Sequence, residues 1–367
     1  MTALKKIQPA NVIEWPTSKS ERFKYTNLAA AVKGFSAPTE NGVLTFSGDT
    51  DFVKKMAFSN APQWVKDAFA AGPVGEEKYR DMVLWEAAKN AATEVYVVDV
   101  PAKAGVQLNA TVQGSPFLFV RIGRGGKLTF VETRRETGKT WANAVAHIFV
   151  EDNARMRHVR IQENGADTVY TQNADVFIGR DACYEAFTLT MGSGFSRNQI
   201  HGFLNGTNGE LRLAGINLLS GAQHGDTTIT IDHAAPQCRS NQTYKSIVAD
   251  KAHGVFQGKV HVHQIAQQTD GYQLSNTLLL SPNAVMDTKP ELEIYADDVK
   301  CSHGATTGQL DTAPLFYLRQ RGLSEAQAKM LLMQAFLGPA LEEIRDEDAK
   351  AMVTDLAFQW LEKRANG

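Results

Sequence analysis

The sequence predicts a mainly β protein, with a strand-rich body over residues 95–311 between an N-terminal helical region (1–94) and a C-terminal helical region (312–367). Three observations carry this. Short runs of period-2 alternation recur from about Val95 to Leu310, each bounded by Gly, Asn or Asp. More than two hundred residues there show no helical period. The i, i+3, i+4 spacing of one-sided helices returns only at the two ends of the chain.

At the N-terminus, Tyr79, Met82, Val83 and Ala87 follow helical spacing, and Pro62, Gly72 and Pro73 punctuate the segments before them. The strands read as FLFVRI (117–122), KLTFVET (127–133), HVRIQE (158–163), ELRLAGI (210–216), TTITID (227–232), KVHVH (259–263) and LEIYAD (292–297). Turn-like openings that lead into alternating residues recur at 152, 180, 207, 250 and 281, as in DNARMRHVRI and RDACYEAFTL. Such a loose repeat suits coils that bury a continuous core against their neighbours. Asn164-Gly165, Asn205-Gly206 and Asn208-Gly209 are hairpin signals and favour an antiparallel sandwich instead. On pattern alone the parallel solenoid leads slightly and the sandwich stays open. After Asp311, Ser324 with Gln327 forms a capping-box signature. Ala328, Leu331, Leu332, Ala335 and Phe336 make an apolar stripe that Gly338-Pro339 should end. A second run carries Val353, Leu356, Trp360 and Leu361. Both stripes should dock on the body or on a partner.

Composition excludes several classes. With 367 residues, a formal charge of −2 and a pI near 6.5, nothing electrostatic calls for nucleic acid or an anionic membrane. No apolar run reaches the roughly 20 residues of a membrane span. The start, MTALKKIQPANVIEWP, lacks the pattern of a signal peptide. Three scattered cysteines, Cys183, Cys238 and Cys301, form no disulfide framework, so the expected compartment is a reducing cytoplasm.

The chemistry-bearing motifs are few. GRGGKL (123–128) has the wrong spacing for a phosphate loop, and MGSGFS (191–196) lacks the strand–turn–helix context of a nucleophile elbow; both read as turns. No C-x-x-C or H-E-x-x-H pattern occurs, and no catalytic residue is assigned. His261 and His263 sit two apart on a strand and share a face, more often a solvated sheet face than a metal site, since no third ligand is evident nearby. Cys301 and His303, in DDVKCSHGATTG (297–308), would also share a face and are both suited to iron, zinc or a cluster. Two ligands are too few for a closed site, so the alternatives are a shared site and a buried Cys beside a polar turn His.

The stretch 239–311, ending ELEIYADDVKCSHGATTGQLD, followed by LFYLRQRGLSEAQAKMLL (315–332), closely resembles the core of the SufB/SufD family of Suf iron–sulfur cluster assembly scaffolds. FKYTNL (23–28) is similar to an N-terminal signature of the family's SufD branch, with Phe23 where Trp is usual. The turn SHGATTG carries Gly304 where SufB has glutamate, which also sides with SufD. The resemblance implies a right-handed parallel β-helix with helical flanks and a non-catalytic scaffold role. It implies pairing with SufB through the end of the β-helix and binding of the SufC ATPase by the C-terminal helices. It also places His303, with Cys301 as accessory, at the SufB interface as a ligand for transient iron or a nascent cluster, with no cofactor held permanently by the lone chain. Isolated, the chain should form a homodimer through that same end. The weaker alternatives are a SufB-like cluster holder, disfavoured by three scattered cysteines, and a carbohydrate-active β-helix enzyme, for which Asp297-Asp298 is thin support.

Overall fold

Ten-residue runs with alternating inward and outward side chains generate two long sheets. The computed structural model describes residues 15–17, 19–39, 42–72 and 82–365. The first sheet contains, in spatial order, β1 (Val43–Gly48), β4 (Gly105–Gln113), β6 (Lys127–Arg134), β8 (Arg155–Asn164), β10 (Cys183–Gly192), β12 (Glu210–Leu219), β14 (Arg239–Val248), β16 (Thr269–Leu279) and β18 (Val299–Gly308). The second runs β17 (Val285–Ile294), β15 (His253–Val262), β13 (His224–His233), β11 (Phe195–Leu204), β9 (Thr168–Ile178), β7 (Thr140–Val150), β5 (Phe117–Ile122), β3 (Glu94–Val100) and β2 (Val53–Ala57). From β3 to β18 the chain alternates between the sheets, and every pairing among these strands is parallel. The result is a parallel β-solenoid of about seven turns with helices at both ends.

Arg155, Cys183, Glu210, Arg239 and Asp270, with Lys300 on β18, lie side by side across the first sheet, so one coil takes 27 to 31 residues. The sequence openings at 152, 180 and 207 precede strands of this sheet, whereas those at 250 and 281 precede β15 and β17 of the other. That change of face explains their irregular spacing. The Asn-Gly pairs do not make hairpins; they form corners between the sheets. At one corner Asn153, Asp181, Asn208, Gln237 and Gln268 all adopt positive φ, a conformation that short polar side chains tolerate best. Each donates its backbone N–H to the next coil, to the carbonyls of Arg180, Thr207, Pro236, Gln267 and Asp298 at 2.6–3.1 Å. Gly206 is required for proximity, because a Cβ there would lie 2.0 Å from the Arg180 nitrogen.

Inside the coils, Phe130, Met156, Ile178, Leu211, Ile231, Phe256 and Val260 belong to one continuous apolar core. The outer face of the first sheet is also apolar (Ile161, Leu189, Ile216, Ile247), and the C-terminal helices cover it. These helices are α4 (Thr312–Gln320), α5 (Glu325–Leu341) and α6 (Glu347–Ala365), of which α5 and α6 lie on the sheet while α4 has no buried residue. The Ser324–Gln327 capping box forms as the sequence predicts. α5 nevertheless continues through Gly338 and Pro339, because the turn beyond them buries Ala340 and Leu341 against the sheet and outweighs one missing N–H donor. Its buried stripe is Ala328, Met333, Leu337 and Ala340, rotated from the expected one; Leu331 and Ala335 face outward. α6 buries Val353, Ala357 and Leu361, with Leu356 and Trp360 half-buried beside them. Among the described residues no helix is long and apolar enough to cross a membrane.

The N-terminal region departs from the all-helical expectation. Besides α1 (Leu28–Ala31), α2 (Gln63–Ala71) and α3 (Met82–Ala91), it supplies β1 and β2, which pair antiparallel with β4 and β3 and are the terminal strands at that end of both sheets. Such strands of five and six residues are too short to leave a clear period. In α3 the buried residues are Leu84, Trp85, Ala87 and Ala88, with Val83 half-buried; Tyr79 lies outside the described residues. The FKYTNL segment is clamped on the outer face of the second sheet. The Arg197 guanidinium packs 4.3 Å from the Phe23 ring centre and pairs with Asp226, to which the Thr26 hydroxyl also donates.

Burial holds several histidines neutral. It lowers His147, His158 and His201, and takes His224 to about 4 and His233 to about 3. The unfolded chain takes up these protons near pH 6.5 and the folded chain does not, so stability falls as pH drops from about 6.5 toward 4. Each such group contributes a slope of up to about 1.4 kcal/mol per pH unit. His233, whose Nε2 lies 2.8 Å from the Ser240 hydroxyl, isolates one contribution. Urea unfolding between pH 7 and 4.5 should show a slope shallower by about one proton in His233→Gln; equal slopes would mean that folded His233 protonates normally.

Candidate functional site

β1 and β2 are the terminal strands at one end of the two sheets, and the longer β17 and β18 are those at the other, each with a strand partner on one side only. An edge of this kind presents unpaired backbone N–H and C=O groups, a template for adding a strand. Val285, Ile294 and Tyr295 are exposed beside it. β18 carries both residues singled out from the sequence. It pairs in register with β16, so Cys301 lies beside Gly271 and His303 beside Gln273.

Cys301 and His303 do share a face. Val299 and Cys301 pack against the inner core, and period-2 alternation turns His303 the same way, toward the mouth of the last coil. Their environments differ. Cys301 is half-buried, with Sγ 3.4 Å from where a Cβ on Gly271 would stand, and burial pushes its thiol pKa up. His303 is exposed at the edge. Only His303 is therefore ready to meet a ligand supplied from outside; Cys301 would have to lose its proton to a metal first. Cys183 and Cys238 are buried elsewhere, and burial raises the Cys183 thiol to about 12.

Behind His303 lies a feature that the sequence motifs did not reveal. Gln242, Gln273 and His303 occupy one inward column on successive coils. Both glutamines are fully buried; neither side-chain amide atom of Gln242 has a hydrogen-bond partner, nor does Oε1 of Gln273. Gln273 Nε2 donates to the Glu291 carbonyl at 3.1 Å. Ser275 and Thr277 add two more unpartnered hydroxyls. The last coils are thus lined in part by neutral polar groups, and His303 stands at the outer end of that lining. The coil length of 27 to 31 residues was the signal that could have found this column, since 242, 273 and 303 fit it.

The His261–His263 pair is not on a solvated face. His261 is buried on the outer side of the second sheet, and its Nδ1 lies 2.7 Å from Oδ1 of Asp232, its register neighbour on β13. His263, half-exposed at the corner after β15, brings Nε2 to 3.7 Å from the same oxygen. MGSGFS and GRGGKL are sheet-to-sheet corners, as read from the sequence.

Fold and site together define a β-solenoid protein whose last coil presents a strand edge. The chain belongs to the family described as SUF system FeS cluster assembly, SufBD core domain, which matches residues 106–336. It is 35% identical over 235 residues to the iron–sulfur cluster assembly protein SufD of Escherichia coli K12, covering 63% of this chain and 55% of that protein. A SufBD family protein of Synechocystis is 34% identical, with 68% and 55% covered. Another, from Mycobacterium bovis, is 31% identical over 279 residues, with 72% and 70% covered. The chain thus spans little more than half the length of the first two relatives.

Proposed function

We propose that this chain is a non-catalytic SufD-type scaffold subunit of iron–sulfur cluster assembly. Its open β17–β18 end docks on SufB, its C-terminal helices present a surface to the SufC ATPase, and the same open end pairs two copies when the chain is alone. The observation that carries this reading is the unpaired β18 edge with His303 exposed at the mouth of a polar-lined coil. Iron or a nascent cluster is cargo there, held between His303 and a ligand from the partner, with Cys301 as an accessory. Support for the helical surface comes from α4, where Phe316 and Tyr317 are exposed, together with Leu331 on α5. The buried stripes of α5 and α6 are committed to the sheet. Deleting the helices would therefore strip an apolar face, and point substitutions on the exposed side are the sound probe of SufC binding.

The test is anaerobic co-purification with SufB and SufC followed by iron and sulfide analysis. His303→Ala should change folding stability by no more than ~0.5 kcal/mol, because the side chain is exposed, and should leave the complex intact. Iron and sulfide per complex should fall several-fold, since one of few ligands is gone. Cys301→Ser should lose less. Full loading of the His303 variant would reduce the residue to a polar edge side chain.

A further inference from the structure

The geometry points to a divalent transition-metal site at Asp232, His261 and His263, on the outer face of the second sheet and separate from the inward-facing His303. The three donors converge from two adjacent strands and the corner that follows one of them. One ligand atom from each lies within 4.8 Å of the others. Asp232 Oδ1 is 2.7 Å from His261 Nδ1 and 3.7 Å from His263 Nε2, and the two imidazole rings are 4.4 Å apart. A metal with bonds of about 2.0–2.2 Å to N and O fits a triangle of this size after small side-chain rotations. Two imidazoles and one carboxylate on one side of the ion match the facial set that binds Fe(II), Co(II) or Zn(II) and leaves positions open for further ligands.

The surroundings favour a built site over a chance surface cluster. Asp232 and His261 are buried, so the carboxylate and one imidazole are preorganised. The ring of Tyr295 stands edge-on to His261 at 5.5 Å and restricts its orientation. His263 is half-exposed and gives the ion a path from solvent.

The probe is Co(II), titrated anaerobically into the full chain and followed by visible absorption and equilibrium dialysis. We expect one ion per chain assignable to this site, with a ligand-field spectrum containing nitrogen donors. His263→Ala, at a half-exposed position that folding tolerates, should weaken binding at least about ten-fold, and Asp232→Asn likewise. His303→Ala and Cys301→Ser should leave both spectrum and affinity unchanged. Co(II) binding that survives His263→Ala, or that vanishes with His303→Ala, would overturn the assignment, as would the absence of any Co(II) bound by the wild-type chain.

Discussion

Arg197→Ala should destabilise the protein by about 3–5 kcal/mol, the usual cost of removing one partner from a buried ion pair. Arg197 and Asp226 are both fully enclosed, on neighbouring strands β11 and β13. Without the guanidinium, the Asp226 carboxylate keeps, among the described residues, the hydroxyls of Thr26 and, at 2.8 Å, Thr228. The ring of Phe23 also loses the cation beneath it. Because Phe23 and Thr26 anchor the FKYTNL segment, the loss should be local as well as global: limited proteolysis should cut near residues 20–35 before the body unfolds. Urea unfolding measures the first effect and peptide mapping the second. The double replacement Arg197→Met with Asp226→Leu should recover much of the stability, since no charge is then buried alone. A single-variant loss under about 1 kcal/mol would show that the pair does not clamp this segment.

That clamp illustrates what was and was not legible in the sequence. The alternation in FLFVRI and KLTFVET locates β5 and β6 because each strand buries an inner face along its whole length. The choice between stacked coils and a sandwich was harder, because Asn-Gly serves hairpins and solenoid corners alike; both need residues that accept positive φ or a close backbone approach. Only the register decides, and register is a long-range property. The same limit hid the chemistry. His261 and His263 are visible as neighbours, whereas Asp232 is 29 residues earlier and becomes adjacent only when coils stack. Gln242 and Gln273 look like ordinary polar residues until the coil length places them in line behind His303. The buried face of α5 is hidden in the sequence for a related reason. Leu331 and Ala335 match helical spacing as well as Met333 and Leu337 do, and the sheet beneath the helix makes the choice.

Ile294→Asp combined with Ala305→Asp should abolish the proposed self-association of the isolated chain and weaken the proposed docking on SufB at least about 100-fold. The two positions sit on β17 and β18, one at the open edge of each sheet, and Ile294 is among the exposed large apolar side chains there. At the other end the short antiparallel strands β1 and β2 are the terminal ones; at this end the described residues supply no strand beyond the ten-residue β17 and β18. An edge left open beside apolar side chains gains free energy when another edge pairs with it, and a two-fold arrangement covers both copies at once. Two carboxylates introduced there would have to be desolvated on pairing, opposite the same charges in the partner copy, and that cost exceeds what one apolar side chain returns. Both positions are accessible in the single chain, so circular dichroism and thermal stability should stay near wild type. Light scattering at micromolar concentration should then report a dimer for the wild-type chain and a monomer for the variant. A monomeric wild-type chain, or a variant that still pairs, would move the docking surface away from the β17–β18 end.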